Sequence, residues 1–473
     1  MQTNEFRAYA HQFVDWMADY IENIEQYPVK SQVNPGQIFN QLPDNPPETG
    51  ESMADIMDDF RQVILPGITH WQSPNFFAYF PANSSYPSVL AEMLTATLGT
   101  QCMIWETSPA AAELEEKMMN WLIKMLGLPD HLEGVIQDTA STATLAAILT
   151  AREKCSNYRI NQSGFTGNSR LKVYCSSETH SSIEKAVKIA AFGRENLVKI
   201  EVDSEFKMQT DQLAKKINKD IDEGNKPVCV VATMGTTSTT AIDPLREIGE
   251  VCKKYNVWLH VDAAYAGTAL ILPEYRWMLE GIENVDSFVF NPHKWMFTNF
   301  DCSAYFVKDK EALIKTMEIL PEYLKTRSRG GVNDYRDWGI QLGRRFRALK
   351  LWFVIRSFGI SGLQEKIRYH VSLARKLHKI IENDTSFEIM APVPLNTVCF
   401  RYRPRQITNQ NEINRLNEIL LAKINQTGQM YLTHTKLNGN YVIRMVTAQT
   451  NVQEDHVLKA WKKIKETAKE LMI

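Results

Sequence analysis

A lysine at the end of a buried strand is costly unless it does chemistry. The chain carries one in Asn291-Pro292-His293-Lys294-Trp295, directly after the apolar run Ser287-Phe288-Val289-Phe290. A second apolar run, Val257-Trp258-Leu259-His260-Val261, ends in Asp262, so that acid and amine stand 294 − 262 = 32 residues apart. Each residue alone reads as an ordinary surface lysine or acid. Together they place an amine and a carboxylate at the ends of two nearby strands, where α/β sheets bind their ligands. A desolvated lysine of lowered basicity is the usual nucleophile toward a carbonyl cofactor. A carboxylate facing a ring nitrogen keeps that ring protonated as an electron sink, and pyridoxal phosphate needs both groups.

Other strand ends add to this pair. Asp138-Thr139-Ala140-Ser141-Thr142-Ala143 follows Val135-Ile136 and precedes a helix expected to begin near Thr144. Small and hydroxyl residues there cap a helix or cradle a phosphate on its free N–H groups. His180 follows the strand Leu171-Lys172-Val173-Tyr174-Cys175 and opens a helix expected over Ile183 to Ala191. An imidazole at that point caps the helix or lies flat on a ring. Val230 to Ser238 brings Gly235 for close approach and hydroxyls, Thr237 among them, for a phenolic oxygen.

The elements that must position these residues show in the wider pattern. Short β-rich runs at 133–137, 171–175, 228–233, 257–262 and 285–290 alternate with helical stretches, which predicts a mainly parallel sheet. Residues 5 to 26 have helical spacing, 27 to 50 read as an extended arm, and 52 to 65 as a helix. The aromatic run Phe76-Phe77-Ala78-Tyr79-Phe80-Pro81 suits core packing or the wall of a pocket for a flat substrate. Beyond 350, helices at 362–383 and 453–471 and strands at 397–402 and 440–446 suggest a small α+β domain. The expected division is 1–85 as a helical N-terminal segment, 86–349 as the large α/β domain and 350–473 as the small domain.

Composition narrows the function classes. The 473 residues carry 53 Lys+Arg against 55 Asp+Glu, so no basic field exists to draw nucleic acid or anionic lipid. The 7 cysteines are scattered without a CxxC pair, which points to free thiols in a reducing compartment and away from a metal site. The N-terminus lacks an apolar leader and no apolar run is long enough for a membrane span. These features lead us to expect a cytoplasmic enzyme without nucleic-acid or membrane partners.

The residues also carry a family resemblance along nearly the whole chain. His70-Trp71-Gln72-Ser73-Pro74, Phe76 to Pro81, Thr179-His180-Ser181-Ser182, Val261-Asp262-Ala263-Ala264-Tyr265, Asn291 to Trp295 and Leu342-Gly343-Arg344-Arg345-Phe346-Arg347 resemble the aromatic-L-amino-acid decarboxylase family of group II pyridoxal-phosphate-dependent decarboxylases. The resemblance implies an α/β fold of aspartate-aminotransferase type I, with a helical N-terminal segment swapped across a homodimer. It makes Lys294 the Schiff-base lysine, Asp262 the partner of the pyridine nitrogen, His180 the stacking residue and Ala264 the packing on the opposite ring face. Ala140, Ser141, Asn291 and His293 would surround the phosphate, and Thr237 would lie near the ring hydroxyl. Trp71, Tyr79, Phe80, Pro81, Ala82, Met103 and Gly343 would line the substrate pocket. Tyr323, in a closing loop over Ile319 to Asp334, would return a proton to Cα.

Three positions bear on the substrate. Gly343 matches relatives that accept indole or catechol rings, because a missing side chain leaves room. Ala82 and Met103 depart from the animal DOPA-decarboxylase pattern of threonine and phenylalanine, and a lost hydroxyl partner is worth about 1 kcal/mol. A broad preference among tryptophan, phenylalanine, tyrosine and DOPA follows. The rival readings are an aromatic aldehyde synthase, against which Tyr323 counts; an aminotransferase using Arg444 as a carboxylate clamp; and an inactive homologue acting as a binding subunit. The run Arg344-Arg345-Phe346-Arg347 reads as a solvated helix or a dimer contact.

Overall fold

Short apolar runs bounded by glycine, proline and helix caps give strands and helices in alternation. The computed structural model describes residues 1–167, 169–319 and 331–472. They fall into two units: a terminal unit of Met1–Pro81, Leu373–Met390 and Val398–Ile473, and an α/β unit of Ala82–Ser372 and Ala391–Thr397. The terminal unit opens with helices α1 (Thr3–Glu22) and α2 (Met53–Asp59). Among the described residues no helix is long and apolar enough to cross a membrane.

In the α/β unit, α3 (Tyr86–Leu98) and α4 (Pro109–Leu126) precede β1 (Glu133–Gln137), α5 (Ala140–Cys155), α6 (Arg159–Ser163) and β2 (Leu171–Ser176). Then come α7 (Ser182–Ile189), β3 (Leu197–Ile200), α8 (Thr210–Asp222), β4 (Lys226–Thr233), α9 (Leu245–Tyr255) and β5 (Trp258–Asp262). The series closes with β6 (Ser287–Phe290), the one-turn α10 (Pro292–Trp295), β7 (Ser303–Val307), α11 (Lys310–Met317) and the part of α12 (Arg347–Glu382) up to Ser372, a helix broken at Gly359 (φ 66°).

The 7-stranded sheet has the order β1-β7-β6-β5-β4-β2-β3. Neighbours from β3 to β6 run parallel, whereas β7 runs antiparallel to both β6 and β1. Two reversals restore direction, so β1 points the same way as β5 and β6. The carboxyl ends of β1, β2, β4, β5 and β6 therefore share one edge of the sheet. Helix α5 lays Ala143, Ala146, Ala147 and Ile148 into a core with Val135, Val173, Val231, Val289 and Tyr305. Small residues on that face let the helix approach the sheet closely.

All five expected strands form, with ends shifted by up to two residues. Helix α5 starts at Ala140 and not near Thr144, because Thr139 accepts the Thr142 N–H and caps it there. The hydroxyl cluster is thus the first turn of the helix. In the terminal unit, β8 (Phe387–Ile389), β9 (Thr397–Tyr402), β10 (Thr433–Leu437) and β11 (Asn440–Val446) form a 4-stranded sheet with α13 (Gln410–Gln426) and α14 (Glu454–Glu470). Phe77 joins this unit through its N–H to the Tyr431 carbonyl (2.9 Å) and its carbonyl to the Val446 N–H (3.0 Å).

Candidate active site

Strands β5 and β6 are neighbours, and the loops beyond them are sewn together by the Asn291 N–H donating to the Ala264 carbonyl at 3.0 Å. That brings the last residue of β5, Asp262, beside the turn that carries Lys294. Asp262 is 6% exposed, and one carboxylate oxygen accepts the Ala264 N–H at 3.1 Å. Lys294 is half-buried, and burial lowers its basicity while Asp262 opposes the shift. The result is an amine with a larger neutral fraction than a surface lysine has.

His180 follows β2 and exposes its ring. Its Nδ1 accepts the Ser182 N–H at 3.2 Å and lies 2.8 Å from the Ser182 hydroxyl. A backbone N–H can only donate, so the neutral ring carries its proton on Nε2. Burial lowers the pKa of His180, Asp262 opposes and Lys294 adds to the lowering. His180 thus feels both Asp262 and Lys294.

At the end of β1, Asp138 accepts the Thr139 N–H (2.5 Å) on one oxygen and the Gln341 amide (2.6 Å) on the other. This fixes the entry to α5, where Ala140 is half-buried and Ser141 exposed. The first N–H groups of a helix lack intrahelical partners and accept an anion. Asn291 and His293 are buried and already engaged: Asn291 Oδ1 accepts the Ser303 hydroxyl (2.6 Å) and His293 Nδ1 accepts the Cys302 N–H (2.9 Å). Burial, then Lys294, pushes the His293 pKa down to about 3, so its ring is neutral. Beyond β4, Thr237 is exposed while Gly235 (φ 88°) lies where a Cβ would stand 2.6 Å from that of Ala266. Only glycine fits there. Ala264 is half-buried.

The expected pocket residues divide between the two units. In the terminal unit Trp71 stacks on Tyr79 (5.7 Å), the Tyr79 hydroxyl meets that of Tyr431 (3.2 Å), and the Arg444 guanidinium lies over Phe80 (5.3 Å), with Pro81 ending the segment. In the α/β unit, Ala82 and half-buried Met103 belong to the chain leading to β1, and Gly343 is exposed. A Cβ on Gly343 would lie 3.3 Å from the Gln101 amide nitrogen. Tyr323 and positions 320–330 of its loop lie outside the described residues.

The solvated-helix reading of the run 344–347 fails at two of its arginines: Arg344 and Arg347 are buried, Arg344 paired with Glu115 (2.5 Å) and Arg347 bidentate with Asp301 (3.0 Å each), while Arg345 is exposed. Asp243 also escaped notice. It is buried, accepts the Thr233 and Met208 N–H groups (2.8 Å each), and burial pushes its pKa up to about 6. An acid in a buried position is the signal that would have found it, and only burial reveals that.

A buried acid, a half-buried lysine of lowered basicity and a helix start with free N–H groups, all on one sheet edge, are the kinds of anchor pyridoxal phosphate takes, so the donor set fits that group. Comparison with known proteins agrees. Residues 35–403 match the pyridoxal-dependent decarboxylase conserved domain. Tyrosine decarboxylase 3 of Petroselinum crispum is 44% identical over 485 residues, covering 100% of this chain and 93% of the relative. Phenylacetaldehyde synthase of Arabidopsis thaliana is 42% identical over 482 residues, covering 100% and 96%. The crystal structure of Oryza sativa TDC with PLP and tryptamine superposes with a TM-score of 0.97 at 36% identity, covering 100% of this chain and 99% of that one.

Proposed function

The chain belongs to the pyridoxal-dependent decarboxylases, and from that premise we propose that it converts aromatic L-amino acids to the arylalkylamine and carbon dioxide. The observation that carries the reading is Lys294, half-buried and of lowered basicity, with Asp262 at the ends of adjacent strands. Pyridoxal phosphate, when bound, supplies a carbonyl that condenses with amines and a cationic ring that takes up the electron pair left by departing carbon dioxide. Lys294 is the amine that would tether it. The carboxylate of Asp262, oriented by the Ala264 N–H, would hold a proton on the ring nitrogen. The start of α5 at Ala140 and Ser141 would take the phosphate, with Asn291 and His293 fixing the neighbouring backbone. His180, its ring orientation set by Ser182, offers a flat face and an Nε2 proton. Thr237 would lie by the ring hydroxyl and Ala264 by the opposite face. Tyr323 is the proposed donor of the proton that ends the reaction at Cα.

For the substrate we propose a flat aromatic side chain among Trp71, Tyr79, Phe80, Pro81, Ala82, Met103 and Gly343, with tryptophan, phenylalanine, tyrosine and DOPA all used. The relatives named above bear on both the ring class and the rival outcome, since one is a tyrosine decarboxylase and another a phenylacetaldehyde synthase.

The working form is proposed to be a homodimer with the segment 1–85 swapped. Helix α3 supports this by presenting Tyr86 (63% exposed), Leu90 (54%), Leu94 (46%) and Leu98 (62%), an apolar stripe at helical spacing that a monomer would leave in water. Seven free cysteines, six of them buried, support a cytoplasmic setting. The test is product analysis with each of the four amino acids and with histidine. Amine and carbon dioxide in equal amounts from the aromatic acids, with histidine refused, support the reading; aldehyde with hydrogen peroxide and ammonia assigns the synthase instead. Tyr323→Phe should move the wild-type products toward that aldehyde, because the carbanion loses its proton donor and oxygen intercepts it. Unchanged amine from that variant would remove Tyr323 from the role.

A further inference from the structure

Helix α5 and strand β5 carry opposite ends of the proposed cofactor site, an anion-accepting helix start at Ala140 and the acid Asp262. Just below those ends the two elements meet through a fully buried polar chain. Thr144 Oγ1, one turn into α5, lies 3.1 Å from His260 Nε2. His260 stands two residues before Asp262, on the same face of β5. Its Nδ1 lies 2.9 Å from the hydroxyl of Ser287, the residue directly opposite on β6. The Trp258 indole N–H donates to that same hydroxyl at 2.9 Å.

Thr144, His260 and Ser287 are each 0% exposed. The surrounding helix face is Ala143, Ala146 and Ala147, whose dispersion contacts are non-directional and leave a helix free to slide or rotate. A hydrogen bond has a direction and a length. Burial pushes the His260 pKa down to about 4, although Asp262 opposes, so the ring stays neutral and the bridge persists at physiological pH.

We propose that His260 is a positioning residue which, through Thr144, sets the separation between the phosphate-accepting start of α5 and Asp262 and thereby the affinity for pyridoxal phosphate. The proposal rests on the cofactor assignment above and deepens it. Thr144 and His260 touch neither the reacting atoms nor the substrate in this account.

The test titrates the full-length chain with pyridoxal phosphate, following visible absorbance, and measures the urea midpoint of each variant in parallel. Thr144→Val keeps the shape and loses the bond, and should weaken cofactor binding about fivefold, the equivalent of one neutral hydrogen bond. Thr144→Ser should restore it. Trp258→Phe also removes a buried hydrogen bond and should lower the urea midpoint, yet leave cofactor affinity within about twofold, since the strand-to-helix bridge survives. If Thr144→Val does not fold, Thr144→Ala carries the same expectation. Wild-type affinity in the folded Thr144 variants would overturn the bridge, as would an affinity loss in Trp258→Phe equal to that in Thr144→Val. A wild-type chain that bound no pyridoxal phosphate would overturn the cofactor assignment and the bridge with it, an outcome distinct from either.

Discussion

Burial lowers the basicity of Lys294, Lys350 and Lys366 in the α/β unit, and the surroundings of the first two give them different work. Lys350, 1% exposed near the start of α12, has its amine 3.0 Å from Glu92, and its pKa is pushed down to about 8. Arg345 pairs with the same Glu92, so Lys350 belongs to an ionic cluster. Lys294 instead faces Asp262 at the sheet edge where His180 shares their field. Strand-end spacing makes Lys294 and Asp262 candidates in the sequence alone, and the family resemblance adds His180. His260 is not, because a histidine inside an apolar run reads as core until its partners Thr144 and Ser287 are seen. Asp262→Ala should lower kcat by about 10²–10³-fold with the fold kept, the loss expected when a preorganised electrostatic partner is removed. Steady-state kinetics at saturating pyridoxal phosphate checks this, and near-wild-type turnover would free Asp262 of the role.

Among the elements, the alternation of strand and helix gave the parallel part of the sheet, and what it missed has physical causes. β7 returns antiparallel beside β6 and needs no crossover helix, so only the single turn of α10 separates the two runs. β3 is a 4-residue edge strand with one fully buried position, too weak a pattern to read. The solvated-helix reading of the run 344–347 fails at Arg344 because sequence cannot show Glu115 on α4 closing on it. That guanidinium also reaches the Ile136 carbonyl (2.8 Å) and the Cys102 carbonyl (3.3 Å), while Glu115 accepts the Ile136 N–H (2.8 Å). The pair thereby ties the segment after Gly343 to β1. Breaking it leaves a buried charge without its partner, so Glu115→Gln should destabilise by about 3–5 kcal/mol, read as a fall in urea midpoint. A midpoint unchanged from wild type would show the pair to be dispensable.

For the whole molecule, the architecture is the type I fold of pyridoxal-phosphate enzymes, and its interior carries a pH signature. His260 (about 4) and His293 (about 3) have folded pKa values below the ordinary 6.5, so in mildly acid solution the unfolded chain binds more protons. Their stabilising contribution is present above about pH 6.5 and is lost as pH falls toward 4. Asp243, raised to about 6, works the other way, losing its contribution as pH rises from about 4 to 6. His260→Phe removes one imidazole from this balance, and relative to wild type its stability should fall less on acidification, by about 1.4 kcal/mol per pH unit. Urea unfolding at pH values near 6.5 and 4.5 measures that difference, and parallel slopes would show that His260 does not titrate as described.

Lys294 is proposed as the amine that holds the cofactor, and finding where the cofactor is attached tests this. Borohydride reduction of the protein purified with pyridoxal phosphate converts the link to a stable secondary amine that peptide mass mapping can locate. The pyridoxyl group is expected on the peptide containing Lys294, with Lys350 unmodified. A label on Lys350, or no labelled lysine at all, would contradict it.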